Sequence, residues 1–144
     1  MSDPINGRNG TPRNSAMAVA ASALTAQQSR MRVIAENIAN AESTARTAGG
    51  QPYRRQIPVF EARQIDGATG VSLAEVRPDQ SDFRREYDPT HPAADADGYV
   101  LRPNVDTLIE SMDMREAQRA YEANLNVIET ARTMDSRTLD ILKR

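Results

Sequence analysis

Two long stretches free of glycine and proline, a heptad seam in the first, and alternating residues between them predict an α+β protein. Its N- and C-terminal helices pair as an antiparallel coiled coil, with a small β-rich insertion between them. All seven Gly and all eight Pro of the 144 residues lie at positions 4–12 or 49–103. Glycine raises the entropy cost of a helix interior, and proline lacks the N–H that a helix needs. The chain therefore divides into a disordered tail over 1–14, an N-terminal helical segment over 15–48, the β-rich insertion over 49–103 and a C-terminal helical segment over 104–144. The helices proper are expected over 15–44 and 104–143.

Residues 1–14 are mainly Ser, Asp, Asn, Gly, Arg and Pro and hold too little apolar surface to order themselves. Asn14 or Ser15 can cap the helix that follows. Its seam is Met17, Ala20, Leu24, Gln27, Met31, Ile34, Ile38 and Ala41, in alternating steps of three and four. Ala16, Ala18, Ala21, Ala23, Ala26, Ala35 and Ala39 lie off that seam and allow other backbones to approach. Residues 16–24, preceded by Arg8 and Arg13 and containing Ala21-Ser22-Ala23, imitate a signal peptide. The heptad runs on past the supposed cleavage point, so the stretch reads as the start of a structural helix. Asn40, Ser43, Thr44 and Gly49-Gly50 mark its fraying end.

The insertion carries the period of two that marks strands. Tyr53, Ile57 and Val59 alternate with Arg54, Gln56 and Pro58, and the proline makes this an edge strand. Val71 and Leu73, then Phe83, Arg85 and Tyr87, repeat the pattern less clearly. Asp66-Gly67 and Asp97-Gly98 are turns. A twisted β element of three or four strands is expected.

The last helix starts near Asn104, with Thr107 and Glu110 as a later capping box. Ala120, Val127, Met134 and Ile141 form one apolar row at seven-residue spacing. Tyr121, Ile128 and Leu142 form a second, interrupted by Asp135, and Ala117, Leu125, Ala131 and Leu139 widen the stripe. Two rows imply more than one neighbour. Leu24, Met31, Ile34 and Ile38 are expected to pack against Tyr121, Leu125, Ile128, Met134 and Ile141, within or between subunits.

Composition excludes several functions. Eighteen Lys and Arg against twenty Asp and Glu leave a net charge of −2, without the basic excess of a nucleic-acid surface. The absence of Cys removes thiolate chemistry, and a single His precludes a two-His metal site. No run is long enough to span a bilayer. Asp95-Ala96-Asp97-Gly98 resembles part of a calcium loop, but position 1 would be Ala93 and position 12 Asn104, so it reads as a turn. His91 lies in a proline-bounded loop without a nucleophile motif. Arg54-Arg55 and Arg84-Arg85 suit cross-strand or intersubunit ion pairs. No catalytic, cofactor or metal residue is assigned.

Residues 21–27 (Ala-Ser-Ala-Leu-Thr-Ala-Gln) and 31–41 (Met-Arg-Val-Ile-Ala-Glu-Asn-Ile-Ala-Asn-Ala) resemble the N-terminal motif of the bacterial flagellar rod and hook proteins. Residues 103–106 (Pro-Asn-Val-Asp) and 119–124 (Arg-Ala-Tyr-Glu-Ala-Asn) resemble their C-terminal motif. Tyr53-Arg54-Arg55 and the segments 87–92 and 95–100 narrow the resemblance to the proximal rod subunits of that family. Ala23 stands where the family often has Gly. The resemblance implies a structural subunit of a helical tube that transmits torque. It also implies self-association, and as partners the other rod proteins, the MS-ring protein, the protein joining ring to rod, and the type III export apparatus. The location implied is the periplasmic rod of the basal body. The alternatives are another short axial subunit, or, in a different class, a small secreted hydrolase using His91.

Overall fold

The computed structural model describes residues 12–143. Helix α1 spans Pro12–Ala39. Proline suits a first helical position, because its missing N–H would find no helical acceptor there. The backbone is thus already helical at 12–14, and residues 1–11 of the expected tail lie outside the described residues. The helix ends earlier than 44 because Asn40 closes it. The Asn40 side-chain amide donates to Glu36 O (2.9 Å). The chain then tightens through Ala41 N to Ile38 O (3.2 Å) and Ser43 N to Asn40 O (3.1 Å).

Strands β1 (Gln56–Ile65) and β2 (Ala68–Pro78) form an antiparallel hairpin. Asp66 and Gly67 have φ of 49° and 81°, the doubly positive turn that an Asp-Gly pair provides at least strain. A register shift at Val59/Phe60 opposes Phe60 to Leu73 and leaves Ala74 as an extra residue on β2. Strands β3 (Arg84–Tyr87) and β4 (Tyr99–Arg102) make a second antiparallel pair. The expected single β element is therefore two separate two-stranded sheets.

Helix α2 spans Thr107–Leu142. Its cap is Asp106, whose carboxylate accepts from Leu108 N (3.0 Å) and Ile109 N (3.4 Å). This replaces the expected Thr107/Glu110 box, because Glu110 points to another partner. At a rise of 1.5 Å per residue the helices are about 42 and 54 Å long. They run antiparallel: Arg30 meets Glu116 (3.4 Å), while Ala16 lies beside Val127, Ala131 and Met134. Among the described residues, no helix is long and apolar enough to cross a membrane.

Helix α1 is covered on two sides. The heptad seam from Met17 to Ala41 is buried or half-buried throughout. Off that seam, Ala26, Val33 and Asn37 are also buried, because the β1–β2 hairpin lies along the helix. Ser15 Oγ donates to Asp66 O at the hairpin tip (3.0 Å), and Ser22 Oγ accepts from Val71 N (3.2 Å). Gly70 permits that approach: a Cβ there would lie 2.5 Å from Ile65 Cδ1 and 2.7 Å from Ser22 Oγ. The best-buried core sits where α1 ends and α2 begins, built from Val33, Ile34, Ala41, Val100, Pro103 and Val105.

Candidate functional site

Three features define what the molecule can do: the seam between the helices, the polar junction that fixes the insertion to them, and the outer face of α2.

The seam is narrow and small. On α2 Ala117, Tyr121, Asn124, Ile128, Ala131, Asp135 and Thr138 are covered in steps of four and three, with Ala120 half-buried beside them. Ala117 and Ala20 are buried, at opposite ends of the contact. Of the residues singled out in the sequence, Ile34 is buried, while Leu24, Met31, Ile38, Tyr121 and Ile128 are half-buried. Leu125 is at the margin at 36% exposure, and Met134 and Ile141 are uncovered at 52% and 73%. Val127, in the same row, is 48% exposed. The α2 stripe is thus split. Tyr121 and Ile128, set among small and polar residues, meet α1, while Val127, Met134 and Ile141 stay largely exposed.

The junction is a polar cluster that the sequence reading missed. Asn37 is buried on the α1 face towards the insertion. Its Oδ1 accepts from Tyr53 Oη (2.6 Å) and Gln56 N (2.9 Å), and its Nδ2 donates to Gln56 O (2.9 Å). One side chain therefore pins the start of β1 to the helix. Beside it, Arg55 Nε donates to Glu110 Oε1 and Arg55 Nη1 to Asp79 Oδ2 (3.2 Å). Glu110 is 1% exposed, so this is a buried ion pair linking α2 to the insertion. Asn104 completes the knot: its Oδ1 accepts from Arg55 N (2.7 Å), and its Nδ2 donates to Asp79 O (3.0 Å) and Ser81 O (3.1 Å).

The electrostatics follow these contacts. The Ser81 N–H bonded to Asp79 Oδ1, with Arg55 alongside, outweighs desolvation and holds the Asp79 carboxyl below its ordinary range. Burial, followed by the Glu36 and Glu110 carboxylates, pushes the Tyr53 phenol up. Burial works to lower the Arg55 pKa, but Glu110 and Asp79 together raise it.

The other basic pair ties the second sheet to the chain leaving α1. Arg84 donates to Pro103 O (3.2 Å) and Ala41 O (3.1 Å), and Arg102 donates to Glu42 O (2.9 Å). Arg54 and Arg85 lie over the rings of Phe83 (4.1 Å) and Tyr99 (4.2 Å). The basic pairs thus serve carbonyls and rings as well as carboxylates. The signal for Arg55 was its position between strand residues, but its partner Glu110 lies 55 residues away, and only folding identifies it.

His91 and the Asp95 segment are turn residues. His91 Nδ1 accepts from Ala93 N (3.0 Å), and Asp95 Oδ1 accepts from Asp97 N (2.9 Å) and Tyr99 N (3.0 Å). Gly98 takes φ 86° directly against Tyr87 and Pro89. Among the described residues, no group of three or more His, Asp or Glu is placed to hold a metal.

Both helices carry a family match. Residues 17–46 match the family described as "Flagella basal body rod protein", and residues 96–141 that described as "Flagellar basal body rod FlgEFG protein C-terminal". The class is therefore that of the bacterial flagellar rod proteins. The chain is 46% identical over 134 residues to flagellar basal-body rod protein FlgC of Agrobacterium fabrum, covering 92% of this chain and 96% of that protein. It is 42% identical to FlgC of Escherichia coli O6:H1, covering 85% of this chain and 92% of that one. Against FlgC of Bacillus subtilis it is 39% identical, with 87% and 95% covered. The chain belongs to the FlgC family and is a structural subunit of the flagellar basal-body rod.

Proposed function

We propose that this subunit builds the proximal rod by stacking with copies of itself and with other rod proteins into a helical tube that transmits torque, and that it catalyses no reaction. The observation that carries this reading is the outer row of α2. Val127, Met134 and Ile141 recur every seven residues and are 48%, 52% and 73% exposed. Removing one such side chain from water is worth about 1.5–3 kcal/mol. A largely exposed row spaced like this, flanking the face already engaged with α1, suits the helices of a neighbouring subunit. Contacts that join different faces of identical subunits need not close, and so propagate into filaments.

In this reading Leu24, Met31, Ile34, Ile38, Tyr121 and Ile128 act mainly inside the subunit, while Leu125, Met134 and Ile141 act mainly between subunits. The further partners are the MS-ring protein, the protein joining ring to rod, and the type III export apparatus that delivers the chain to the periplasmic rod without a cleaved signal. The continuity of α1 through residues 16–24 supports export without cleavage. The rival, a hydrolase built on His91, is disfavoured by the use of Nδ1 as an acceptor inside its own turn.

Deleting α2 from Leu139 onward tests the assignment in complemented cells. The expected result is secreted protein without completed rods. Normal flagella after that truncation would sink the structural reading, and a basal-body map with this subunit outside the proximal rod would overturn its position.

A further inference from the structure

The outer edges of the β1–β2 hairpin are open over different stretches. Gln56 turns both its N–H and its C=O outward, to the Asn37 amide, while Asp79 N donates inward to Arg55 O (2.8 Å). Outward and inward groups alternate along an antiparallel ladder. Ala62 on β1 therefore presents its N–H and C=O outward, as does Val76 on β2, whose partner is Pro58. Val71, the partner of Ala62, fits the same alternation by donating from its N–H to Ser22 Oγ on α1.

Much of both edges is closed. Asn37 occupies Gln56, α1 occupies Val71, and the outward positions Pro58 and Pro78 have no N–H to offer. The stretches around Ala62 and Val76 are left. Residues 61–64 and 74–78 are exposed, and among the described residues no hydrogen bond from another element reaches Ala62 or Val76. An open edge of this kind is a template for a further strand.

The two open stretches fit each other. Laid antiparallel with Ala62 opposite Val76, they close a pair of backbone hydrogen bonds. Glu61 then faces Arg77, and Arg63 faces Glu75, two cross-strand pairs of opposite charge. The neighbouring registers that keep donors facing acceptors set Glu61 against Glu75, or Arg63 against Arg77. The charges thus select one register.

We propose that the open edge of β1 takes the β2 edge of a second copy of this chain, joining the hairpins of adjoining subunits into one antiparallel sheet. The inference rests on the rod reading. Because two different edges meet, the contact is head-to-tail and leaves a free edge for the next copy. It lies on the insertion, apart from the outer row of α2.

The chain has no cysteine, so paired substitutions can report the contact in isolated rods. Ala62→Cys/Val76→Cys should link copies into dimers and longer multimers on oxidation, since opposed residues lie about 5.5 Å apart at Cα. Either single variant should give no such ladder. A bridge within one chain is out of reach, because Ala62 stands opposite Val71, five residues along β2 from Val76. Rods that contain the double variant and yield only monomer overturn the proposal and leave the rod reading intact. Absence of the unmodified chain from rods refutes that reading, and the proposal with it.

Glu61→Arg tests the register independently. Glu61 is exposed and has no ion pair among the described residues, so the purified variant should melt as the unmodified chain does. Complemented cells should lose swimming, and Glu61→Arg/Arg77→Glu should restore it. Normal swimming with the single variant, or no recovery with the double, overturns the proposed register.

Discussion

Replacing Arg55 by methionine would strand Glu110. Its carboxylate is 1% exposed, Arg55 is the one cation that touches it among the described residues, and its second oxygen already lacks a protein partner. Breaking a buried pair from one side typically costs about 3–5 kcal/mol, because the remaining charge keeps its desolvation penalty and loses its compensation. Arg55 itself is 24% exposed, so water can partly reach the vacated place and the lower end, about 3 kcal/mol, is expected. Asp79 also loses a contact, though at 23% exposure it can rehydrate. For a chain of this length that corresponds to a fall in Tm of roughly 10 °C. Urea unfolding of the purified full chain gives the number. The double variant Arg55→Met/Glu110→Leu should recover most of the loss, since replacing both members of a buried pair by apolar groups is often neutral. A loss below about 1 kcal/mol in the single variant, or no recovery in the double, would refute the claim that Glu110 is held as a buried anion by Arg55.

Three further outcomes follow from the geometry. Ile34→Asp would put an unpaired carboxylate at a position 4% exposed, costing several kcal/mol and abolishing rod growth; secretion must be assayed separately, and wild-type motility would exclude the seam role. Gly70→Ala should destabilise by about 1–3 kcal/mol in urea titration, because the added Cβ meets Ile65 Cδ1 and Ser22 Oγ and must displace them, the latter from its bond with Val71 N. The folded-state pKa of Asp79 is depressed, so its contribution is present above the unfolded value of about 3.9 and lost as pH falls through the folded one. Tyr53 is raised, so its contribution is complete below about pH 10 and lost as pH rises beyond. Urea midpoints against pH should therefore decline at both ends, and Asp79→Asn should flatten the acid arm.

The helix pair was legible in the chain because its information is local. Glycine and proline exclude helix from the middle, and the heptad from Met17 to Ala41 names a face that the structure does cover along its whole length. Asp66-Gly67 likewise specified its turn, since few other residue pairs tolerate two positive φ angles in succession. The exact ends were less legible. Asn40 stops α1 by bonding back to Glu36, and Asp106 displaces Thr107 as cap, choices among several polar residues that are each plausible on local grounds.

The side of each apolar stripe that would be covered depended on the other helix. The two rows of α2 look equivalent along the chain, yet Tyr121 and Ile128 of one turn inward, while Val127, Met134 and Ile141 of the other, and Leu142 at the helix end, remain outside. Tyr121 and Ile128 fit between small residues of the two helices, and the neighbouring row is left largely exposed. The junction was illegible for a different reason. Asn37, Arg55, Asp79, Asn104 and Glu110 are common residues with no spacing rule, and the contacts that give them meaning span up to 55 residues. Periodicity reports how a segment repeats along its own axis. Which buried donor meets which buried acceptor is decided only when distant segments are brought into one low-dielectric site, where each group left unpaired is penalised.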